Sequence, residues 1–285
     1  MVVKFFDFAL YHNKRPSPGS VKIRVDNLIK HWPEASKYSY GDDMDVMVFQ
    51  KVYTTYDFKY INHLDRIKIL DVCDPDWLQS PDIYIKETLD NVHAVVVPTK
   101  ELQKLIAQMT NKPVRIIKDR FDLSEFPVPK KHTGELKTLV WFGYAHNAEL
   151  LRHAIPSLEE RNINLVIISN EDPACYRWAN DPEAYYKRYT YIKYNQDTVY
   201  KDLQIGDACI LPKGYRPEDR FKSENRSIIA GLCGLPVVQN TDDLEKYSQA
   251  KSRTDHINTI YDKLRTEYDC QLSVKEYKEL IDEIS

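Results

Sequence analysis

Short runs that are apolar at every position recur along this chain, among them Val46-Met47-Val48-Phe49, Ala94-Val95-Val96-Val97, Leu139-Val140-Trp141-Phe142 and Leu165-Val166-Ile167-Ile168. A strand with one wet face alternates apolar and polar residues. A strand that is apolar on both faces must be covered on both, which is the condition of a mainly parallel sheet between layers of helix. Such a sheet exposes its chemistry beyond the C-terminal ends of its strands.

Two such series follow one another. The first predicts strands over Val2 to Leu10, Asp45 to Val52, Ile67 to Val72, Ala94 to Val97 and Val114 to Ile117, with helical spacing over Val21 to His31 and Glu101 to Met109. The second predicts strands over Thr138 to Phe142, Leu165 to Ile168, Tyr189 to Tyr194, Ala208 to Leu211 and Val237-Val238, with helices around Ala148 to Leu158 and Thr198 to Leu203. Prolines and charge over Phe126 to Gly134 mark a linker between them. The remainder is polar and helical in spacing over Asp242 to Ala250, His256 to Glu267 and Ser273 to Ile284. The expected organisation is a first α/β domain over 1–128, a second over 129–240, and closing helices over 241–285 that pack on the two lobes. Two similar lobes facing a cleft are the simplest architecture for such a tandem.

With 42% hydrophobic and 29% charged residues, the chain has the composition of a globular protein with its own core. Its formal net charge of -3 excludes the global basic field of a dedicated nucleic-acid binder, though not a local basic groove. The five cysteines, Cys73, Cys175, Cys209, Cys233 and Cys270, form no C-x-x-C pair, and buried thiols in a reducing compartment are expected. Asp7 interrupts the N-terminal apolar run too early for a signal peptide, and no run reaches membrane-spanning length, so a cytoplasmic protein is expected.

One stretch concentrates chemistry. Lys222-Ser223-Glu224-Asn225-Arg226 precedes a helical face of Ile228, Ile229 and Leu232, which runs through Gly234 into Val237-Val238. Free N–H groups and the positive dipole end at a helix start, beside Lys222 and Arg226, make a seat for a diphosphate. The same pattern also suits an ordinary solvated cap.

In order and separation, Trp141-Phe142-Gly143 with Asn147, Asp207-Ala208-Cys209-Ile210-Leu211-Pro212, Lys222-Ser223 with Asn225-Arg226, and Gly234-Leu235-Pro236-Val237-Val238 together resemble a known family. It is the GT-B class of nucleotide-sugar glycosyltransferases, in particular the group whose C-terminal lobe resembles families 1 and 4. Asp71 with Asp74, and Val95-Val96-Val97-Pro98-Thr99, are similar to segments of the N-terminal lobe in such enzymes. The resemblance implies an α/β fold of two Rossmann-like lobes with parallel sheets facing a central cleft. It also implies a metal-independent hexosyltransferase with a nucleoside-diphosphate sugar, most simply a UDP-sugar, as donor and no cofactor. Two departures stand out: Phe221 and Ile229 lie near the places of the glutamate pair of many retaining members, and no arginine or lysine follows Gly143 closely. The phosphate contacts then fall to Lys222, Arg226 and helix-start amides, with Ser223 and Asn225 adding neutral hydrogen bonds.

Within that frame Gly143 lets the donor approach the following helix start, and His146 and Asn147 face the cleft. The nucleobase is expected near Ser169-Asn170-Glu171 and Tyr191 to Asn195, while Lys213, Arg216 and Arg220 add charge just before the diphosphate seat. The acceptor hydroxyl needs a base or an oriented partner on the other lobe. Asp74 is the first candidate and His12 the second, with Asp7 and Asp119 behind them and Asp76 as an acceptor ligand. If the backbone stays extended through Pro75, Asp74 and Asp76 share one side. Asp74-Pro75-Asp76 also spells a D-x-D metal motif, but two carboxylates with no third ligand make a poor cage, and no metal is expected.

The acceptor is less constrained. Lys14, Arg15, Lys22, Arg24 and Lys30, with Tyr11, His12, His31 and Trp32 nearby, make a basic aromatic rim. Lys14 and Arg15 are the expected acceptor contacts. Such a rim suits an anionic polymer such as a hydroxymethylated phage DNA, whose base would be flipped out, and equally a phosphorylated sugar or lipid-linked glycan. A sugar-nucleotide isomerase or phosphorylase, or a non-catalytic nucleotide-sugar sensor, would use the same donor lobe.

Overall fold

The computed structural model describes residues 1–12, 18–53, 66–80, 83, 85–173, 189–214 and 216–285. Lys14, Arg15 and Cys175 lie outside the described residues. The chain divides into two units, the first made of Met1–Leu123, Arg216–Ser223 and Tyr268–Ser285, the second of Ser124–Tyr215 and Glu224–Glu267.

The first unit is built on a parallel sheet of β1 (Val3–Asp7), β2 (Ala35–Lys37), β3 (Val46–Gln50), β4 (Ile67–Asp71), β5 (Ala94–Val97) and β6 (Val114–Ile116). Its order is β2-β1-β3-β4-β5-β6, so the sequence of strands reverses direction at β1 and β3. β3 is buried at every position, as its uninterrupted apolar run requires. The first strand is shorter than the run from Val2 to Leu10 suggests. The Asp7 carboxylate accepts the Leu10 N–H at 2.8 Å, and this cap turns Phe8–His12 into a helix. One face of the sheet is closed by the C-terminal helix Cys270–Ile284, whose Val274, Tyr277, Leu280 and Ile281 pack with Phe5 and Trp32. Phe221, from the Arg216–Ser223 segment, is buried in the core on the other face with Met47, Leu70 and Leu102.

The second unit carries β7 (Thr138–Gly143), β8 (Asn164–Ser169), β9 (Tyr189–Lys193), β10 (Ala208–Ile210) and β11 (Val237–Val238), all parallel, in the order β11-β10-β7-β8-β9. Here the order reverses between β7 and β10. The single helix expected around Ala148 to Leu158 is two pieces, a tight helix Ala145–His153 and an α-helix Ile155–Glu160 with Pro156 in its first turn. Proline has no N–H to give to a preceding turn, so the second helix starts afresh. Gly234 sits at φ 82° after the helix Asn225–Leu232, where a Cβ would run into the Pro129 backbone at 2.9 Å. Only glycine suits that turn. The buried Arg253 ties the 132–134 stretch down, its guanidinium donating to the carbonyls of Gly134 at 3.0 Å and Tyr247 at 2.8 Å.

Candidate functional site

In open parallel sheets, ligands bind beyond the C-terminal strand ends where the strand order reverses. In the first unit that place is the end of β1 and β3, and the residue that follows β3 is Lys51. Its φ is 53°, a left-handed conformation rare for a lysine and costing of order 1–3 kcal/mol. The Lys51 N–H continues the ladder to the Asp71 carbonyl at 2.9 Å, while its ammonium meets Asp74 at 2.8 Å and Asp76 at 3.0 Å. The ammonium also lies 5.7 Å from the centre of the Phe8 ring.

Asp74 and Asp76 do share one side, but by another route than the extended backbone expected. Pro75 has φ −82° and ψ 60°, and the Asp76 N–H returns to the Asp74 carbonyl at 3.0 Å. This three-residue inverse γ-turn swings both carboxylates onto one ammonium. The Cys73 thiol donates to Asp74 at 3.5 Å, and the Tyr53 hydroxyl donates to Asp76 at 3.2 Å.

Their environments drive the two carboxyls apart. Burial works to raise Asp74, but Lys51 and the Cys73 hydrogen bond outweigh it and hold the carboxyl below the usual aspartate range. Burial and the neighbouring Asp74 charge keep Asp76 above that range, against the pull of Lys51. Burial disfavours the Lys51 charge, yet Cys73, Asp74 and Asp76 together raise its pKa well above that of a free lysine. Where the D-x-D spelling would place a metal, the cation between the carboxylates is the chain's own ammonium. Among the described residues, no cluster of three or more His, Cys, Asp or Glu side chains has the disposition to hold a metal ion.

Deeper lies a second network. The Arg24 guanidinium bonds Asp71 and Asp119 at 2.6 Å each, and Tyr277 donates to Asp71 at 2.5 Å. Arg24 sits in the helical turn Lys22–Asp26, which is widened to a π turn, and its side chain is 3% exposed. Ser223 donates its hydroxyl proton to Asp119, so that proton is already committed. Lys222 pairs with Asp219 at 2.8 Å. His12 is exposed and packs on the Phe8 ring at 4.2 Å. Asp7 is fully buried with Lys37 at 3.1 Å. Of the residues counted above as a basic rim, Arg24 is buried inside the fold instead, and Lys30, half exposed, is paired with Asp122.

In the second unit the order reverses at the ends of β7 and β10, and Gly143 closes β7. The Arg226 guanidinium donates to the Phe142 carbonyl at 3.3 Å, and a Cβ on Gly143 would lie 3.2 Å from it and 3.1 Å from the Trp141 ring. Arg226 is in the first turn of Asn225–Leu232, whose start at Glu224 has no side-chain cap. Asn225 opens that helix, and its backbone amides face the same strand ends because the helix joins β10 to β11. After β7, Asn170 accepts the Ala145 N–H at 2.9 Å, and Asn147 closes a turn onto the Tyr144 carbonyl at 2.9 Å. Tyr144 and His146 stack with ring centres 5.8 Å apart. A cavity of about 440 Å³ opens at the ends of β10 and β11, lined by Ile210, Pro212, Lys213, Val238 and Asn240. Phe221 and Ile229 are 5% and 7% exposed, so the two places where many retaining members carry glutamates are packing positions here.

Sequence reasoning missed Lys51 altogether. Its only local signal was its place directly after an apolar strand.

No described protein family matches the sequence, and no curated protein matches it. Solved structures do. HepE of Anabaena, in complex with UDP and glucose, has a TM-score of 0.65 at 10% identity, over 99% of this chain and 100% of that one. BGT of T4 phage, in complex with its UDP-glucose substrate, has a TM-score of 0.62 at 9% identity, over 99% and 100%. A variant of S. aureus TarM, in complex with Fondaparinux, alpha-GlcNAc-glycerol and UDP, has a TM-score of 0.61 at 12% identity; the match covers 82% of this chain but 55% of TarM. The chain therefore has the α/β fold of two parallel sheets that these GT-B glycosyltransferases share, as the sequence resemblance implied.

Proposed function

We propose that this protein transfers a hexose from a UDP-sugar to an acceptor hydroxyl. The observation that carries the reading is Arg226, a cation beside a side-chain-free residue where the strand order reverses, at an uncapped helix start. Negative charge grows on the diphosphate as the bond to the sugar breaks. A preorganised guanidinium and backbone N–H groups stabilise that charge, and losing one such contact costs about 2.7–4 kcal/mol in the transition state. Asn225 joins Arg226 in receiving the donor, and Gly143 and Asn147 border it. That three structures of this fold hold UDP or UDP-glucose supports the donor class.

The acceptor role falls to Asp74 and Asp76. The acceptor oxygen bonds to the anomeric carbon, the bond from that carbon to the diphosphate oxygen breaks, and its electron pair leaves with UDP. The proton released passes to Asp76, the carboxyl with the greater proton affinity, while Asp74 stays ionised on Lys51 and orients the hydroxyl. His12 is the second candidate for contact with the acceptor. No step needs a metal or a cofactor.

A saccharide is the acceptor this reading favours. With Arg24 and Lys30 engaged by carboxylates, a polyanion finds less charge here than the sequence advertises. Modified DNA, the alternative, rests on Lys14 and Arg15. The buried thiols of Cys73, Cys209, Cys233 and Cys270 fit a reducing compartment, and we place the protein in the cytoplasm. Among the described residues no helix is long and apolar enough to cross a membrane. The test is UDP release from a panel of UDP-sugars, with saccharide acceptors, with hydroxymethylated DNA, and with neither. Saccharide-dependent release supports the reading; DNA-dependent release moves the acceptor; tight UDP-sugar binding without turnover on any acceptor makes the protein a sensor.

A further inference from the structure

The least expected residue in the first unit is Lys51, and three independent features meet there. Its backbone is left-handed, at φ 53°, in a residue with a Cβ to accommodate. Its side chain is 13% exposed although it carries a charge. Its one ammonium is shared by two carboxylates, each about a third exposed, on the far side of a γ-turn. A surface lysine neutralising a nearby acid needs none of these. The left-handed residue re-aims the chain as β3 ends, so that the side chain runs toward the end of β4 rather than outward.

We propose that Lys51 is a positioning residue that fixes the geometry and the division of charge within the Asp74–Asp76 pair. The inference rests on the acceptor role given to that pair. Lys51 touches neither the sugar nor the reacting oxygen and acts through the carboxylates. Because the Lys51 ammonium is shared by both acids, it holds Asp74 ionised and leaves Asp76 the more receptive to a proton. Among the described residues, several other charged or titratable groups bear on the pair. Cys73 and Tyr53 donate to it, and Lys222, from the Arg216–Ser223 segment, lowers Asp74 weakly. Arg24 and Asp119 act on Cys73 behind it. Of these only Lys51 is a cation in contact with both carboxylates.

The experiment compares the parent with Lys51→Asn, because asparagine accepts the left-handed backbone and removes the charge, and with Lys51→Arg, which keeps the charge. Two readouts are taken on the same proteins: the aspartate carboxyl titration followed by carbon-13 NMR, and the pH profile of UDP-sugar transfer. In Lys51→Asn both carboxyls are expected to titrate at least about one pH unit higher, and the acid limb of the rate is expected to move up with them. At pH 7 kcat is expected to fall at least about tenfold, with KM for the UDP-sugar within about twofold. Lys51→Arg is expected to keep the titrations near those of the parent. Carboxyl titrations unchanged in Lys51→Asn overturn the proposal whatever the rates do. Titrations that move while the acid limb stays in place also overturn it, since the pair would then not set the rate. If the titrations move as expected but the parent transfers sugar to no acceptor, the transferase reading fails and the electrostatic role of Lys51 stands.

Discussion

Replacing Arg24 with methionine removes the cation that bridges two buried carboxylates and keeps the packing volume. Asp71 is fully buried, Asp119 is 7% exposed, and each bonds the guanidinium at 2.6 Å. Breaking a buried pair by removing one partner costs about 3–5 kcal/mol, because the remaining charge is left in a poor solvent. Asp71 keeps the Tyr277 hydroxyl and Asp119 keeps Ser223, which places the expected loss toward the lower end, about 3–4 kcal/mol. For a protein of this size that is a fall in Tm of roughly 6–16 °C. The loss should also depend on pH. Burial already holds the Asp71 carboxyl above the ordinary aspartate value of 3.8, against the pull of Arg24, and without Arg24 it rises further. An acid whose folded pKa is raised adds stability below that pKa and loses it as the pH climbs through it. The deficit of Arg24→Met should therefore shrink from pH 8 to pH 5. Urea unfolding at both pH values, with Asp71→Asn and Asp119→Asn added to Arg24→Met, measures all of this; the triple variant should recover most of the loss. A deficit under about 1 kcal/mol, equal at both pH values, refutes the idea that this network is what holds the strand ends of the first unit.

Three further outcomes are expected. Arg226→Ala should weaken UDP binding by about 10–150-fold in calorimetry, the value of one charged hydrogen bond, with an unchanged urea midpoint. Asp76→Asn should lower kcat about 10²–10⁴-fold and leave UDP affinity within about twofold, and the acid limb of the parent rate should lie above pH 3.8 because Asp76 is raised. Gly234→Ala combines a φ of 82° with overlap on the Pro129 backbone, and should cost about 2–4 kcal/mol in urea unfolding.

Much of the scaffold was written locally. Ala94–Val97 reads as a buried parallel strand and is one, because four consecutive apolar residues have nowhere wet to point. The helix Asn225–Leu232 and the turn at Gly234 were legible for the same reason: their spacing and their left-handed glycine are properties of the segment itself. The edge strand Ala35–Lys37 was not, being three residues long with a serine at its centre.

What the sequence by itself determined is therefore the class of sheet, the rhythm of strand and helix, and the presence of a cation at the start of one helix. These depend on neighbours within a turn or a strand. Which carboxylate faces which cation depends on residues tens of positions apart, and only the tertiary structure decided it. Strand order brought Lys51 to Asp74 and Asp76, and Arg24 to Asp119, across separations that no periodicity records. Packing put Phe221 into the core of the first unit, within five residues of an arginine that belongs to the second. Periodicity acts along the chain and made the fold legible in the sequence, whereas charge acts through space, so the site's electrostatics could be read only from the folded structure.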